Sequence, residues 1–268
     1  MTVLDLLVID IWIRDRRSGG YFMDTTQKSP RILGMTLARG GSKGVPRKNI
    51  RPILGVPLLA YTIREARKSS LITHFVVSTD DEEIQRVAIA HGAEAPFLRP
   101  AHLATDTANS RDPMQHAVAW MENREGQPYD YVIELMATNP MKTVEDIDGS
   151  LQKLIETGAD SVIAVHELQD HHPMRIKKIV DDRLCDFCVP EPPNARRQDL
   201  TPKAYIRSGA IYAMRRDHLM VENCRYGSAN SRPWYLSPDK AVNVDSVADF
   251  FLAEILMKQR QEDTGCTV

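Results

Sequence analysis

The chain has 268 residues, a length that suits one α/β domain with a substantial core. Its 34 basic and 36 acidic residues leave a net charge of −2, which excludes the broad positive field of a nucleic-acid-binding protein. No apolar run in the sequence is long enough to cross a bilayer, so we expect neither a nucleic-acid partner nor a membrane.

The cysteines and the first residues bear on the location of the protein. The four cysteines are irregularly spaced, and the Cys185-x-x-Cys188 pair has no second pair to complete a zinc site, which favours free thiols in a cytoplasmic protein. Residues 6–13 are apolar, but Asp10 interrupts them and no basic segment precedes them, so a signal peptide is not expected. Residues 1–30 are predicted to be an extension that is poorly ordered or loosely docked.

The most informative stretch follows the first predicted strand, Ile32–Ala38, which is short and carries no charge. Residues 39–49 read Arg-Gly-Gly-Ser-Lys-Gly-Val-Pro-Arg-Lys-Asn, a loop with three glycines and four cations. Glycines let a ligand approach the backbone, and exposed N–H groups among cations suit a polyanion. Because ligands bind at the carboxyl ends of parallel strands, we predict a phosphate-binding loop here.

Neither of the familiar phosphate motifs fits this loop. A P-loop needs Lys and then Ser or Thr, whereas Val45 follows Gly44. A dinucleotide-binding fingerprint needs a glycine where Arg39 lies. The alternative interpretation is a flexible basic surface loop, but the direct connection to a strand and the rigid Pro46 favour a binding function.

Alternating strands and helices follow the loop. Apolar residues recur at helical spacing over Val56–Ser69, His74–Thr79 is predicted to be a strand, and Asp80 with Glu83 predicts a capped helix that ends near Ala90. This alternation predicts a doubly wound, mostly parallel sheet. The later predicted elements are an irregular segment over Phe97–Ser110, a helix over Arg111–Asn123 with Ser110 as its N-cap, a strand over Tyr131–Ala137, a helix from Thr143 to about Gly158, a strand over Ser161–His166 and a hairpin over Ile176–Val189.

The loop and the residues after it carry a resemblance to a known family. Residues 39–49, with the following Ile-Arg-Pro-Ile-Leu-Gly-Val-Pro-Leu-Leu of residues 50–59, closely resemble the opening signature of the acylneuraminate cytidylyltransferases. These are the CMP-sialic acid synthetases and their relatives that act on legionaminic, pseudaminic and other ulosonic acids. The resemblance runs in order from about Ile32 to about Leu256.

The resemblance implies an architecture and an assembly. The expected fold is α/β, with a three-layer, doubly wound, mostly parallel sheet of the Rossmann-like nucleotidyltransferase kind over residues 31–260 and a tail over residues 261–268. An excursion over about residues 170–207 is expected to project from this domain and to pack on the second subunit of a homodimer.

The resemblance also implies a nucleotide site. In relatives, the positions of Arg99 and Ser110 contact the pyrimidine, beside the backbone at Ala108. Cytosine has an N4 amino donor and O2 and N3 acceptors, so a selective pocket needs both donors and acceptors. The predicted CTP-binding residues are Arg39, Gly40, Gly41, Ser42, Lys48, Asn49, Arg99, Ala108 and Ser110, and the predicted catalytic residues are Arg39, Lys43, Lys48 and Asp245.

The predicted sugar site departs from the family pattern. Where relatives carry Gln-Pro-Thr-Ser-Pro-Leu-Arg, residues 136–142 read Met-Ala-Thr-Asn-Pro-Met-Lys. Met136 has no amide to offer where the glutamine of sialic acid enzymes contacts the sugar, so a different ulosonic acid is favoured. Arginine forks suit the ulosonate carboxylate. The predicted substrate-binding residues are Met136, Thr138, Asn139, Arg175, Arg197 and Tyr212, with a place in a core strand as the alternative for Tyr212.

A metal site is expected near residue 245. Alternation along a predicted strand over Ala241–Asp245 places Asn243 and Asp245 on one face, where many relatives hold magnesium with two aspartates. Mg²⁺ prefers oxygen ligands and often needs one or two carboxylates plus substrate phosphates, so both residues are predicted metal ligands, with Mn²⁺ as the alternative ion. Asp245 is also the predicted cap of a helix from Ser246 to about Gln259.

The implied reaction joins CTP to a free ulosonic acid and releases pyrophosphate, with Arg39, Lys43 and Lys48 on the triphosphate. Three alternatives stay open. The first is a CMP synthetase for a KDO-like or amino-KDO sugar. The second is a sugar-1-phosphate nucleotidyltransferase, which expects Pro-Lys-Pro after the glycine loop. The third, suggested by Asn243, is a catalytically weak nucleotide-binding sensor.

Overall fold

The computed structural model describes residues 12–14, 21–23, 29–42, 44–105, 107–168 and 170–264. Most of the predicted extension over residues 1–30 lies outside these ranges, as do Lys43 and the last four residues. In the extension, strands β1 (Trp12–Arg14) and β2 (Tyr21–Met23) pair antiparallel.

A mixed, mostly parallel sheet of six strands forms the centre of the described chain, in the order β12-β8-β11-β7-β3-β6. Strand β11 runs antiparallel to β7 and β8, and the other pairs are parallel. The strands are β3 (Ile32–Leu37), β6 (His74–Ser78), β7 (Tyr131–Leu135), β8 (Ser161–Glu167), β11 (Tyr205–Arg215) and β12 (Ser231–Tyr235).

Helices cover both faces of this sheet. They are α1 (Leu58–Ala66), α2 (Glu82–Ala90), α3 (Arg111–Glu125), α4 (Val144–Thr157), α5 (Arg216–Met220) and α6 (Val247–Thr264). Two small antiparallel pairs complete the described elements: β4 (Pro52–Ile53) with β5 (Val56–Pro57), and β9 (Lys177–Val180) with β10 (Arg183–Asp186).

The core explains why the central strands β3 and β7 are largely apolar, with Glu134 as the charged exception. Ile133 and Leu135 of β7 pack on one face with residues of α1, α2 and α4, while Val132 packs on the other face with Met114 and Met121 of α3. A strand buried on both faces cannot show the alternating pattern of a half-exposed strand. The predicted three-layer, doubly wound α/β fold is therefore confirmed, and within the described residues no helix has the length and apolarity to span a membrane.

Two predicted helix caps differ from the structure by one residue. The N-cap of α2 is Asp81, whose Oδ1 accepts hydrogen bonds from the backbone N–H groups of Glu83 and Ile84, so the prediction of Asp80 as the cap is wrong. At the start of α3, Asn109 accepts the N–H bonds of Arg111 and Asp112 in place of the predicted Ser110. In both cases adjacent polar residues can cap the helix, and tertiary contacts select one of them.

Candidate active site

A cavity of about 440 Å³ opens at the carboxyl edge of the parallel strands β3 and β7. Such an edge is where parallel sheets hold ligands, because strand ends and loops converge there. Ten of the predicted site residues line the cavity together: Arg39, Ser42, Lys48, Asn49, Arg99, Ala108, Ser110, Met136, Thr138 and Asp245. Residues 100 positions and more apart in the sequence thus meet at one opening.

The glycine loop is held against the start of α2. The Gly40 N–H donates to Asp80 Oδ1 at 3.0 Å, and a Cβ added at Gly40 would lie 2.8 Å from Asp81 Oδ2. Arg47 donates to both Asp81 oxygens and to Glu83, and this contact holds the pKa of Asp81 below its usual range. Gly40 therefore permits a close backbone approach, and its neighbour Gly41 is exposed.

The far end of the loop packs against residue 245. A Cβ at Gly44 would come within 2.5 Å of the Asp245 carbonyl oxygen, so the approach needs glycine. Lys48 Nζ, largely buried, donates to Asp245 Oδ1 at 2.7 Å, while the Asp245 side chain is 64% exposed. This pair joins the phosphate loop to the predicted metal ligand at the cavity mouth. Lys43, also predicted to be catalytic, lies outside the described residues.

Asn49 and Arg39 form one unit. Asn49 is buried and its Nδ2 donates to the Arg39 carbonyl oxygen at 3.0 Å, which fixes the backbone from which Arg39 extends. Arg39 Nη1 reaches the Thr105 carbonyl oxygen at 3.4 Å across the cavity. The guanidinium therefore spans the opening between the glycine loop and the segment before α3.

Arg99 and Ser110 line the opposite wall. Arg99 is 5% exposed, its Nη2 lies 3.6 Å from Asp80 Oδ1, and burial lowers its pKa. Its Nε has no hydrogen-bond partner among the described residues. Ser110 makes no side-chain cap bond within the described part of the chain, and it lines the cavity together with Ala108. This wall offers donors and an acceptor, which is what a cytosine edge requires.

Glu134, Met136 and Thr138 form the floor at the end of β7. The Oγ1 atom of Thr138 is buried and, within the described ranges, has no hydrogen-bond partner. Asn139 is fully buried beside this floor, where its Nδ2 donates to the carbonyl oxygens of Lys240 and Val242 at 2.8 and 3.1 Å. Asn139 thus holds the segment that leads to Asp245.

Three predicted substrate residues lie elsewhere. Arg175 and Arg197 are on the excursion, where both bind Asp170, through its carbonyl oxygen and its carboxylate respectively. Tyr212 is buried in β11 beneath the guanidinium of Arg225, 4.1 Å from the ring centroid, and burial raises its pKa. Tyr212 therefore occupies a core strand, which was the alternative to the predicted place in the sugar pocket.

Residues 242–245 form an extended loop and not the predicted strand. Asn243 Nδ2 nevertheless donates to Asp245 Oδ2 at 2.5 Å. The predicted capping by Asp245 is wrong, because Ser246 and Asp249 cap α6: Asp249 Oδ2 accepts from the N–H groups of residues 245 and 246. The Asp245 carboxylate is therefore not used by the helix.

The oxygens of this segment suit a hard cation. Asn243 Oδ1 is buried and unpartnered within the described residues, and it lies next to the exposed carboxylate of Asp245. Across the same part of the chain, no three His, Cys, Asp or Glu side chains assemble as a metal site. One carboxylate and one amide oxygen fit Mg²⁺ when substrate phosphates and water supply the remaining ligands.

Two polar residues of this region were not predicted as site residues: Glu134, which lines the cavity, and Asp80, which contacts Gly40 and Arg99 beside it. Asp80 lies two residues after the end of β6, a position where ligand-binding residues are expected, but it was interpreted only as a helix cap. Glu134 is a charged residue in an otherwise apolar strand, which by itself marks an unusual position. Its partner Arg225 carries no comparable local signal.

Comparisons with known proteins agree on one family. A family model described as cytidylyltransferase matches residues 33–227. The pseudaminic acid cytidylyltransferase of Campylobacter jejuni is 34% identical over 226 residues, 84% of this chain and 95% of that protein. The CMP-N,N'-diacetyllegionaminic acid synthase of Legionella pneumophila is 31% identical, over 87% and 98% of the two chains. A structure of CMP:2-keto-3-deoxy-manno-octonic acid (KDO) synthetase complexed with CTP shares the fold, with a TM-score of 0.65 at 21% identity over 86% of this chain and 99% of its own.

Proposed function

The chain belongs to the cytidylyltransferase family, and we propose that it transfers the cytidylyl group of CTP to a free ulosonic acid, giving a CMP-sugar and pyrophosphate. The observation that carries this proposal is the single cavity in which a cationic glycine loop, a polar wall at Arg99 and Ser110 and a floor at the end of β7 converge. The relatives named above for pseudaminic and diacetyllegionaminic acids support the choice of acceptor.

In this reaction the anomeric hydroxyl oxygen of the acid attacks the α-phosphorus of CTP. A new P–O bond forms, the bond to the β-phosphate oxygen breaks, and pyrophosphate leaves with the electron pair. Such chemistry depends on positioning and charge neutralisation more than on covalent catalysis. Arg39 and Lys48 hold the phosphates and stabilise the leaving group, and Arg99, Ser110 and the Ala108 backbone hold cytosine.

Asp245 and Asn243 are the residues that would hold Mg²⁺. When bound, the ion would neutralise phosphate charge and favour the developing negative charge of the transition state. Lys48 ion-pairs with Asp245 and, in the proposed reaction, would exchange this contact for a phosphate oxygen.

Pyrophosphate release with CTP tests this function. The acceptor panel is N-acetylneuraminate, legionaminate, pseudaminate, KDO and amino-KDO, with UTP and ATP as nucleotide controls. We expect turnover with CTP and a diacetamido ulosonic acid, in line with the relatives named for pseudaminic and diacetyllegionaminic acids. Turnover on a KDO sugar would redirect the substrate assignment, and CTP binding without release from any acid would favour the nucleotide-binding sensor.

The role of Asp245 is tested by Asp245→Asn. We expect the turnover number to fall about 100-fold, because a ligand for the charge-neutralising cation is weakened, with the thermal midpoint unchanged. Asp239→Asn removes an exposed carboxylate from the preceding 3₁₀ turn and should have no effect. Full activity of Asp245→Asn over a magnesium titration would contradict the assignment.

We also propose a homodimer and a cytoplasmic reaction. The β9–β10 hairpin exposes Ile179, Leu184 and Phe187 at 76%, 73% and 60%, which favours burial against a second subunit. Cys185, Cys188 and Cys224 are free thiols, which suits a reducing compartment.

A further inference from the structure

One ion pair at the floor of the cavity, Glu134 with Arg225, is not among the residues proposed to bind the nucleotide. Glu134 is 1% exposed and lines the cavity from β7. Strand alternation puts its side chain on the same face as Met136, and the β7–β11 register places Tyr212 directly opposite. The carboxylate therefore lies beside Met136, a predicted substrate-binding residue that lines the cavity, and opposite the buried Tyr212.

Arg225 holds this carboxylate from the loop after α5. Its Nε donates to Glu134 Oε2 at 2.7 Å, and its Nη2 lies 2.5 Å from the same oxygen. The guanidinium stacks over Tyr212, and Nη2 also reaches Met136 Sδ at 3.7 Å. Arg225 is thus in contact with the two floor residues, Glu134 and Met136.

Further arginine and tyrosine side chains stack next to the Glu134–Arg225 pair. The guanidinium of Arg207, from β11, lies 4.0 Å from the ring centroid of Tyr226, and the Tyr212 and Tyr226 rings are 5.8 Å apart. Arginine stacking on aromatic rings restricts the rotamers of both partners. The arrangement is rigid before any ligand binds.

Stability alone does not account for a buried ion pair at this position. Desolvation of two charges offsets much of their attraction, and apolar residues of the same volume are commonly as stabilising. Burial raises the pKa of Glu134 while Arg225 opposes that shift. A carboxylate kept at the wall of a cavity against this cost indicates a ligand that uses it.

We propose that Glu134 and Arg225 are the specificity-determining pair for the acid sugar, in which the Glu134 carboxylate accepts a hydrogen bond from an N–H or O–H donor on the sugar. Arg225 is the positioning residue that orients this carboxylate. The inference rests on the proposed function and extends it to the acceptor. An acylamino sugar offers an amide N–H as the donor to Glu134, and a KDO-like sugar offers a hydroxyl. Comparison of the two substrate classes therefore identifies the donor.

Steady-state kinetics of Glu134→Gln provide the first test. The substitution keeps the side-chain volume and removes the charge. We expect KM for the acid sugar to rise about 10- to 100-fold, the range for a hydrogen bond to a charged group, and KM for CTP to stay within about twofold. Parallel assays with a diacetamido ulosonic acid and with KDO show whether the lost hydrogen bond came from an amide N–H or from a hydroxyl of the sugar.

Glu122→Gln is the matched control. Glu122 forms a comparable bidentate ion pair with Arg216, at 2.9 Å for both contacts, between α3 and α5. We expect both KM values of this variant to equal those of the wild type. If Glu134→Gln fails to fold because Arg225 is left buried without a partner, Glu134→Leu combined with Arg225→Leu removes both charges, and it should fold yet lose the affinity for the sugar.

The pH profile supplies an independent readout. If the ionised carboxylate is the acceptor, kcat/KM for the sugar falls as the pH drops through a Glu134 pKa that lies above the usual range of a glutamate. The groups that face Glu134 are Arg225 from the loop after α5 and Tyr212 from β11. Glu134→Gln should lack this acidic limb.

Two results would overturn the inference in different ways. An unchanged sugar KM in Glu134→Gln, with the acidic limb retained, assigns the pair a structural role and leaves the proposed function intact. A wild-type protein that releases no pyrophosphate with any acid of the panel overturns the proposed function and this inference with it.

Discussion

At the scale of single residues, Lys142 is the least expected side chain. It is 1% exposed, and its Nζ donates to Thr62 Oγ1, the Met136 carbonyl oxygen and the Asn139 carbonyl oxygen at 2.8, 2.7 and 2.5 Å. Burial lowers its pKa to about 7. The three N–H groups of the ammonium form match these three acceptors, while burial disfavours the charge that this form carries. Lys142 thereby fixes both ends of the floor segment.

Lys142→Met should destabilise the protein in a pH-dependent way. It removes the Nζ donor from two buried carbonyl groups and from the Thr62 hydroxyl, so we expect the free energy of unfolding to drop by about 2–4 kcal/mol near pH 9. In the unfolded chain the lysine pKa returns to 10.5 from about 7, so folding releases a proton between these values. Wild-type stability should therefore rise with pH, relative to the variant, from about pH 7 towards pH 10.

Urea denaturation of both proteins across this pH range measures the difference. Lys153→Met is the control, because Lys153 Nζ donates to a single carbonyl, that of Pro233 at 2.6 Å, from a partly exposed position. A stability difference that is the same at pH 7 and pH 10 for Lys142→Met would show that the buried amine keeps its proton.

At the scale of elements, the first turn of α6 determines where Asp245 lies. Asp249 Oδ2 accepts the N–H bonds of Asp245 and Ser246 at 3.0 and 2.7 Å, and the Asp249 N–H donates to Ser246 Oγ. One residue earlier, the Val244 N–H donates to the Thr138 carbonyl oxygen at 2.7 Å. The helix cap and the β7 floor together hold the loop that carries the predicted metal ligand.

Asp249→Ala should therefore affect both stability and catalysis. We expect a loss of about 1 kcal/mol from the missing cap and a higher magnesium concentration for half-maximal activity, since the backbone of Asp245 loses its anchor. Thermal melts and a magnesium titration of turnover measure the two effects.

Asp263→Ala provides the control at the other end of α6, where an exposed acidic residue makes no cap. A loss of stability in Asp249→Ala with an unchanged magnesium titration would separate the cap from the site.

At the scale of the whole molecule, the sheet places nucleotide and acceptor groups at one edge. The strands other than β11 run in the same direction, so the loops after β3, β6 and β7 gather around the cavity. The β9–β10 hairpin lies outside this sheet, and its apolar side chains are exposed. The domain therefore presents a cavity at one edge of the sheet and a separate apolar projection.

Leu184→Asp tests the proposed dimer. A charge at the centre of a buried apolar contact should dissociate the subunits, and sedimentation or light scattering should give half the mass of the wild type. Phe251→Asp is the control, since Phe251 of α6 is 61% exposed and lies on another surface. Dissociation by Phe251→Asp alone would place the interface on α6, and a wild-type monomer would contradict the dimer outright.

The resemblance of residues 39–59 to a known signature indicated the cytidylyltransferase family. The sequence by itself also determined most of the strands and helices up to β8 and the glycine-rich loop after β3. These features depend on local periodicity and on the backbone freedom of glycine, so neighbouring residues suffice to specify them. The caps show the limit of local information, because the choice between Asp80 and Asp81 depends on Gly40, Arg47 and Arg99.

The tertiary structure alone decided which distant charges meet. Lys48 and Asp245 are 197 residues apart, and Glu134 and Arg225 are 91 apart. Nothing local in the sequence specifies such pairs, because they form only when β7, β11 and the start of α6 pack around the same cavity. The glycine-loop side of the cavity could be predicted from one stretch of sequence, whereas the Glu134–Arg225 side was fixed by packing across the sheet.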